Sequence, residues 1–99
     1  MPYDGEQHIL LRIFVKESEV YGAVDRLREL GFEGCTVLRG IMGYGKTGPA
    51  SADIVVESLD LPAVVEIFTT YDRFKGKKGE LKKLFKGLIT IERATPLNP

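Results

Sequence analysis

The run ILLRIFVK, from Ile9 to Lys16, sets the narrowest limit on what this chain can fold into. It is apolar, rich in branched side chains and too short to cross a membrane, so it reads as a strand buried in a sheet. Successive residues of a strand point to opposite faces. Ile9, Leu11, Ile13 and Val15 share one face, which is uniformly apolar and has to lie under helices. Leu10, Arg12, Phe14 and Lys16 share the other, which mixes large apolar groups with charge. A sheet built on this strand has one sealed face and a second too apolar to be left in water.

The segments that follow supply the cover. SEVYGAVDRLRELGF reads as a helix, with Ser18 as its N-cap and Val20, Val24, Leu27 and Leu30 as its apolar stripe. Gly31 stands where a left-handed C-cap belongs, and Phe32 can make the apolar contact that accompanies it. CTVLRGIMGY, Cys35 to Tyr44, is a second strand, and GKTGPAS a loop. ADIVVESL is a third strand, interrupted at Asp60–Pro62 and resumed in AVVEIFTT. In YDRFKGKKGELKKLFKG, Gly76 and Gly79 predict an irregular start, with regular helix from about Glu80 and an apolar face of Leu81, Leu84 and Phe85. LITIER, Leu88 to Arg93, is the last strand.

The order is β-α-β-β-α-β, an α+β ferredoxin-like antiparallel sheet with two helices on one face. The whole chain, 1–99, is one domain. The uncovered face gathers Leu10, Arg12, Phe14, Val64, Glu66, Phe68, Leu88, Thr90 and Glu92. Burial between subunits suits it, with Arg12 near Glu66 or Glu92. Fourteen basic side chains balance fourteen acidic ones, which speaks against nucleic acid as a partner. One cysteine, Cys35, gives no internal disulfide and suits a reducing cytoplasm. MPYDGEQ lacks the basic start and apolar core of a signal peptide. Cys35 is expected to be a small buried group and His8 a solvent-facing one, and neither joins a metal set.

GIMGYGKT, Gly40 to Thr47, fits the phosphate-binding pattern G-x-x-x-x-G-K-[ST]. That chemistry needs a helix directly after the lysine, so that its first amides meet the phosphates. Here Gly48 and Pro49 follow at once, and the split β-α-β-β-α-β order offers no parallel sheet. The match does not predict a nucleoside triphosphatase. Two readings of the turn remain. Its exposed amides and Lys46 could hold an anion, or its glycines serve a sharp turn and close backbone packing. KGKKGELKKLFK, with six lysines in twelve residues, is either a solvated helix face or an anion-binding rim.

TVLRGIMGYG, SLDLPAVVEI and KGLITIE together resemble domain-of-unknown-function family 190 (DUF190), a branch of the P-II-like signalling proteins. The three blocks cover most of Cys35 to Glu92. The sequence differs from the family pattern in a compressed ESEVYG, a short loop after Tyr44 without histidines, and a second helix interrupted at KGKKG. The resemblance implies a homotrimer of ferredoxin-like subunits and a non-enzymatic regulatory role. It also implies a small anionic ligand, an adenine nucleotide such as ATP, ADP or AMP, bound in clefts between subunits. The ligand residues it implies are Arg39, Gly40, Gly43, Tyr44, Gly45, Lys46, Lys86 and Gly87, with Lys86 as the main phosphate contact. Lys46 to Ala52 would then stand where such proteins carry an effector loop, and the regulated partner would be a membrane transporter or an enzyme.

Two other families share the fold order. CRISPR spacer-acquisition nucleases place a metal-binding aspartate at the end of the first strand, where this chain has Lys16 and Glu17. Copper-tolerance-like trimers would need more metal ligands than one His and one Cys.

Overall fold

β1 (His8–Lys16) lies inside a four-stranded antiparallel sheet of order β2-β3-β1-β4. The structure is a computed structural model that describes residues 3–44 and 60–98. The expected strand at 52–59 lies outside the described residues. β1 pairs along its whole length with β3 (Pro62–Thr70) and, over Ile9–Ile13, with β4 (Ile89–Arg93). β2 (Thr36–Arg39) pairs with β3 at the other edge. Helices α1 (Val20–Glu29) and α2 (Tyr71–Leu84) complete an α+β unit compatible with the ferredoxin-like βαββαβ fold.

The faces divide as alternation requires. Ile9, Leu11 and Ile13 are fully buried, together with Val65 and Ile67 of β3. They form one cluster with Ala23 and Leu27 of α1, Phe32, and Phe74 and Leu81 of α2. Each such aliphatic side chain contributes about 1.5–3 kcal/mol by leaving water. On α1 the centre of the stripe is Ala23 and Leu27, whereas Val20, Val24 and Leu30 are only half-buried. A small residue faces the sheet where the helix comes closest.

α1 ends as its sequence indicates. Gly31 has φ 96°, in the left-handed region. Its N–H donates to Arg28 O at 3.0 Å and the Phe32 N–H to Leu27 O at 3.2 Å, the two bonds of a Schellman cap. The start differs from expectation. Glu17–Glu19 forms a 3-10 turn, and Ser18 is a donor to Asp60 rather than an N-cap acceptor. β2 is also shorter than expected: regular pairing stops at Arg39 instead of Tyr44.

α2 begins at Tyr71, not near Glu80, and runs unbroken through KGKKG. Two things outweigh the glycines. Tyr71 and Phe74 anchor the first turn on the core. The first-turn amides are also all spoken for. Tyr71 N donates to Gln7 O at 2.8 Å, Asp72 N to Gly5 O at 3.0 Å, and Arg73 N to the Thr70 hydroxyl at 3.3 Å. Two of those acceptors come from the N-terminal segment, more than sixty residues away in sequence, so the Thr70 N-cap alone announces the helix locally.

Gly76 and Gly79 have open space where a Cβ would go. Alanine at both positions should therefore stabilise the protein by about 1–2 kcal/mol in total. The expected readout is a rise of several degrees in Tm. A fall in Tm would show that these positions meet something besides solvent.

Candidate functional site

The candidate site lies at the end of the sheet where β1 and β2 finish and β3 and β4 begin. The DLP block holds this end together. The Asp60 carboxylate accepts the Ser18 N–H at 2.8 Å and the Ser18 hydroxyl at 2.9 Å. Leu61 O accepts the Glu17 N–H at 2.7 Å, and Pro62 O accepts the Gly40 N–H at 2.7 Å. Three consecutive residues thus tie the end of β1, the entry to α1 and the exit of β2 to one point.

The Ser18 N–H, ahead of the Ser18 hydroxyl, lowers the Asp60 pKa below its ordinary value. A carboxyl depressed in the folded state stabilises the fold above its unfolded pKa. That contribution is lost as pH falls through the folded value. Asp60→Ala should cost about 1 kcal/mol at neutral pH, as loss of a capping acceptor does. Wild type and variant should converge in stability in acid, once the pH lies below the lowered folded value of Asp60. Denaturant unfolding at neutral and at acid pH checks this, and an undiminished difference in acid would refute it.

The glycines of LRGIMG answer the question raised by the turn. A Cβ on Gly40 would stand 2.8 Å from Pro62 Cγ, and one on Gly43 would stand 3.1 Å from the same atom. Neither residue has a positive φ. They are glycines because the Pro62 ring lies against them. Arg39 pairs with Glu17, so its guanidinium points back to the end of β1. Beyond Gly40 the chain turns outward, and Tyr44 is 90% exposed, with Ile41 and Met42 also exposed. Gly45 and Lys46 lie outside the described residues.

Lys86 and Gly87 are exposed at the opposite edge, just ahead of β4. Gly87 is pressed on β1: a Cβ there would stand 2.8 Å from Phe14 O, while the Phe14 N–H donates to Leu88 O at 3.0 Å. The two halves of the expected ligand site therefore share one end of the sheet. They sit on edges three strand spacings apart, roughly 14 Å. Among the described residues of one subunit they do not meet.

The uncovered face is ordered in rows. Leu38, Val64 and Phe14 lie side by side in register. The next row is Thr36, Glu66, Arg12 and Thr90, and the third Phe68, Leu10 and Glu92. Arg12 Nε donates to Glu66 at 2.9 Å and its Nη1 to Glu92, so it holds both expected partners at once. Glu66 first, then Glu92, raises the Arg12 pKa further. Phe14, Phe68 and Leu38 remain 37%, 49% and 50% exposed. His8 is not turned to solvent as expected; it is half-buried and stacks on Phe68 with ring centroids 4.9 Å apart.

Leu38 and Leu88 join this face although only the register reveals Leu38. Glu17, Asp60 and Pro62 also went unnoticed as organisers of the site, although the DLP spelling marks two of them. Cys35 is exposed, contrary to expectation. It borders a cavity of about 390 Å³ between α1 and the start of β2, at the far end of β2 from Gly40.

Glu17, the carboxylate a nuclease reading would need, is engaged by Arg39. Among the described residues no three His, Cys, Asp or Glu side chains converge as a metal set, and no helix is long and apolar enough to cross a membrane. All three strand pairings are antiparallel, so the described sheet is not the parallel one on which a P-loop is built.

The chain is 38% identical over 91 residues to a UPF0166 protein of Aquifex aeolicus, covering 84% of this chain and 87% of that one. A second match to an A. aeolicus UPF0166 protein is 34% identical over 90 residues, covering 88% and 94%. A UPF0166 protein of Methanocaldococcus jannaschii is 30% identical over 91 residues, covering 83% and 84%. The sequence profile of DUF190, described as an uncharacterized ACR, matches residues 8–95, from the first residue of β1 to just past β4. Since that span takes in the sheet, both helices and the DLP-glycine junction, the chain belongs to the DUF190 family.

Proposed function

We propose that this protein is a non-enzymatic, P-II-like regulatory trimer that binds a small anionic ligand, an adenine nucleotide, in clefts between subunits. The observation that carries the reading is the split site. Gly40–Tyr44 stands at the β2 edge and Lys86–Gly87 at the β4 edge, at the same end of the sheet. The described residues of one subunit do not close these halves around a ligand, whereas two subunits packed side by side through their uncovered faces would bring unlike edges together. The three rows of that face support the packing, with the apolar Leu38–Val64–Phe14 row on one side of the Arg12 row and Phe68 and Leu10 beside Glu92 on the other.

In this arrangement Lys86 of one subunit meets the phosphates, and the turn at Gly40–Tyr44 of its neighbour forms the second wall. Tyr44, 90% exposed, covers the base in this reading. Arg39, held by Glu17, lines the turn. Gly45 and Lys46 add amides and one accessory charge, and Lys46–Ala52 serves as the effector loop toward a regulated membrane transporter or enzyme. The setting is the cytoplasm.

Native mass spectrometry combined with calorimetry against ATP, ADP and AMP tests the proposal. A trimer that takes up nucleotide is expected. A monomer, or a trimer with neither heat nor thermal shift from any of the three, would sink the assembly or the ligand part respectively.

A further inference from the structure

Charge is distributed unevenly along this neutral chain. Between Tyr71 and Lys86 there are seven basic and two acidic side chains, a net of +5; the remainder carries seven basic and twelve acidic, a net of −5. We propose that the lysine flank of α2 is a docking surface for an acidic polypeptide segment of a partner protein.

Lys75, Lys78 and Lys82 recur at spacings of three and four, which puts them on one side of the helix over about 10 Å of its axis. That side is fixed by Arg73, whose Nη1 donates to Gly31 O at 3.0 Å, at the C-terminal end of α1. Lys75 follows Arg73 by two residues, about 200° round the helix. The lysine flank therefore faces away from α1. It also lies on the opposite layer from the uncovered sheet face, so oligomer packing leaves it open.

These lysines differ from three of the arginines of the fold. Arg12, Arg28 and Arg39 each hold a carboxylate. Lys75, Lys78 and Lys82 hold none among the described residues, and they repel one another at i,i+3 and i,i+4. Apart from Lys82, which sits favourably in the last turn of the helix, the fold gains little from their charge, and an outside counter-charge relieves the repulsion.

The neighbouring chemistry selects the kind of polyanion. The apolar side of α2 is spent on the core, with Phe74 and Leu81 buried. Gly76, Gly79, Glu80 and Lys83 are the exposed residues between and beside the lysines. The rings that border the flank, Tyr71 and Phe85, are packed against the core, and Tyr71 is stacked on Tyr3 with centroids 4.8 Å apart, so neither stands free for bases to stack on as single-stranded nucleic acid requires. No exposed aromatic or leucine is present to enter a bilayer. Point charges in a row, with no apolar anchor, suit carboxylates spaced along a peptide. Binding of this kind is set largely by steering and is strongly screened by salt.

Labelled poly-L-glutamate is the probe, read by fluorescence anisotropy with the full chain at low ionic strength. The variant K75Q/K78Q/K82Q should weaken binding about tenfold or more. Its melting temperature should change little, because these side chains hold no ion pair among the described residues and only Lys82 meets the helix dipole. The control K16Q/R26Q/R28Q removes the same charge elsewhere and should leave binding within about twofold. Equal weakening in both variants would reduce the effect to net charge and overturn the proposal. So would binding to phosphatidylserine vesicles or single-stranded poly-U that depends on the three lysines while polyglutamate fails to bind.

Discussion

Phe14→Asp combined with Phe68→Asp is expected to convert the proposed trimer to folded monomers. Phe14 and Phe68 stand on the uncovered sheet face, in the first and third rows, and neither belongs to the buried core. Substituting them leaves the Ile9–Leu11–Ile13 side of the sheet untouched, so each subunit should still fold. In the assembly the new carboxylates would be taken out of water. At Phe68 the surroundings are already acidic, because Glu66 is two residues away on the same face and Glu92 lies in the same row. Burying such a charge costs several kcal/mol if it stays ionised. Arg12 cannot absorb it, since Glu66 and Glu92 already occupy its guanidinium. Phe14→Asp alone should have the smaller effect, because Lys16 shares its face and can reach the new carboxylate. Sedimentation of the double variant decides the matter: an unchanged oligomer would show that this face is not the interface.

Lys86→Ala should weaken adenine-nucleotide binding about ten- to hundredfold, the loss of one charge-assisted contact worth about 1.5–3 kcal/mol. Lys86 is held at the sheet edge by its neighbour. Gly87 lies so close to Phe14 O that only a residue without a Cβ fits, and the chain must pass the lysine at a fixed place. Lys46 supplies only an accessory charge in the proposed site, and Lys46→Ala should cost less. Neither variant should alter ATP turnover, since none is expected. Calorimetric titration of both variants measures the ranking. Measured ATP hydrolysis that Lys46→Ala abolishes would restore the nucleoside triphosphatase reading of GIMGYGKT.

Much of this architecture is determined by local sequence. Alternation in Ile9–Lys16 and Val64–Phe68 separates a sealed face from an open one, because the strand period of two is independent of context. The end of α1 is equally local: glycine is the residue that tolerates φ 96°, and the two Schellman bonds form within six residues. The pairing of Arg12 with Glu66 and Glu92 follows once three strands are placed side by side.

Tertiary structure decided the rest wherever the partner of a group lies far along the chain. α2 begins at Tyr71 because Gly5 and Gln7 satisfy its first amides and the core holds Phe74, and these gains outweigh two glycines. Gly40 and Gly43 are small because Pro62, about twenty residues later, rests on them; their spelling alone fits an anion loop equally well. Ser18 looks like a cap and is instead a donor, because Asp60 is brought to it by the start of β3. Periodicity and backbone strain act within a few residues and can be read in order. Satisfaction of donors and close packing act between segments, and only the folded chain shows which segments meet.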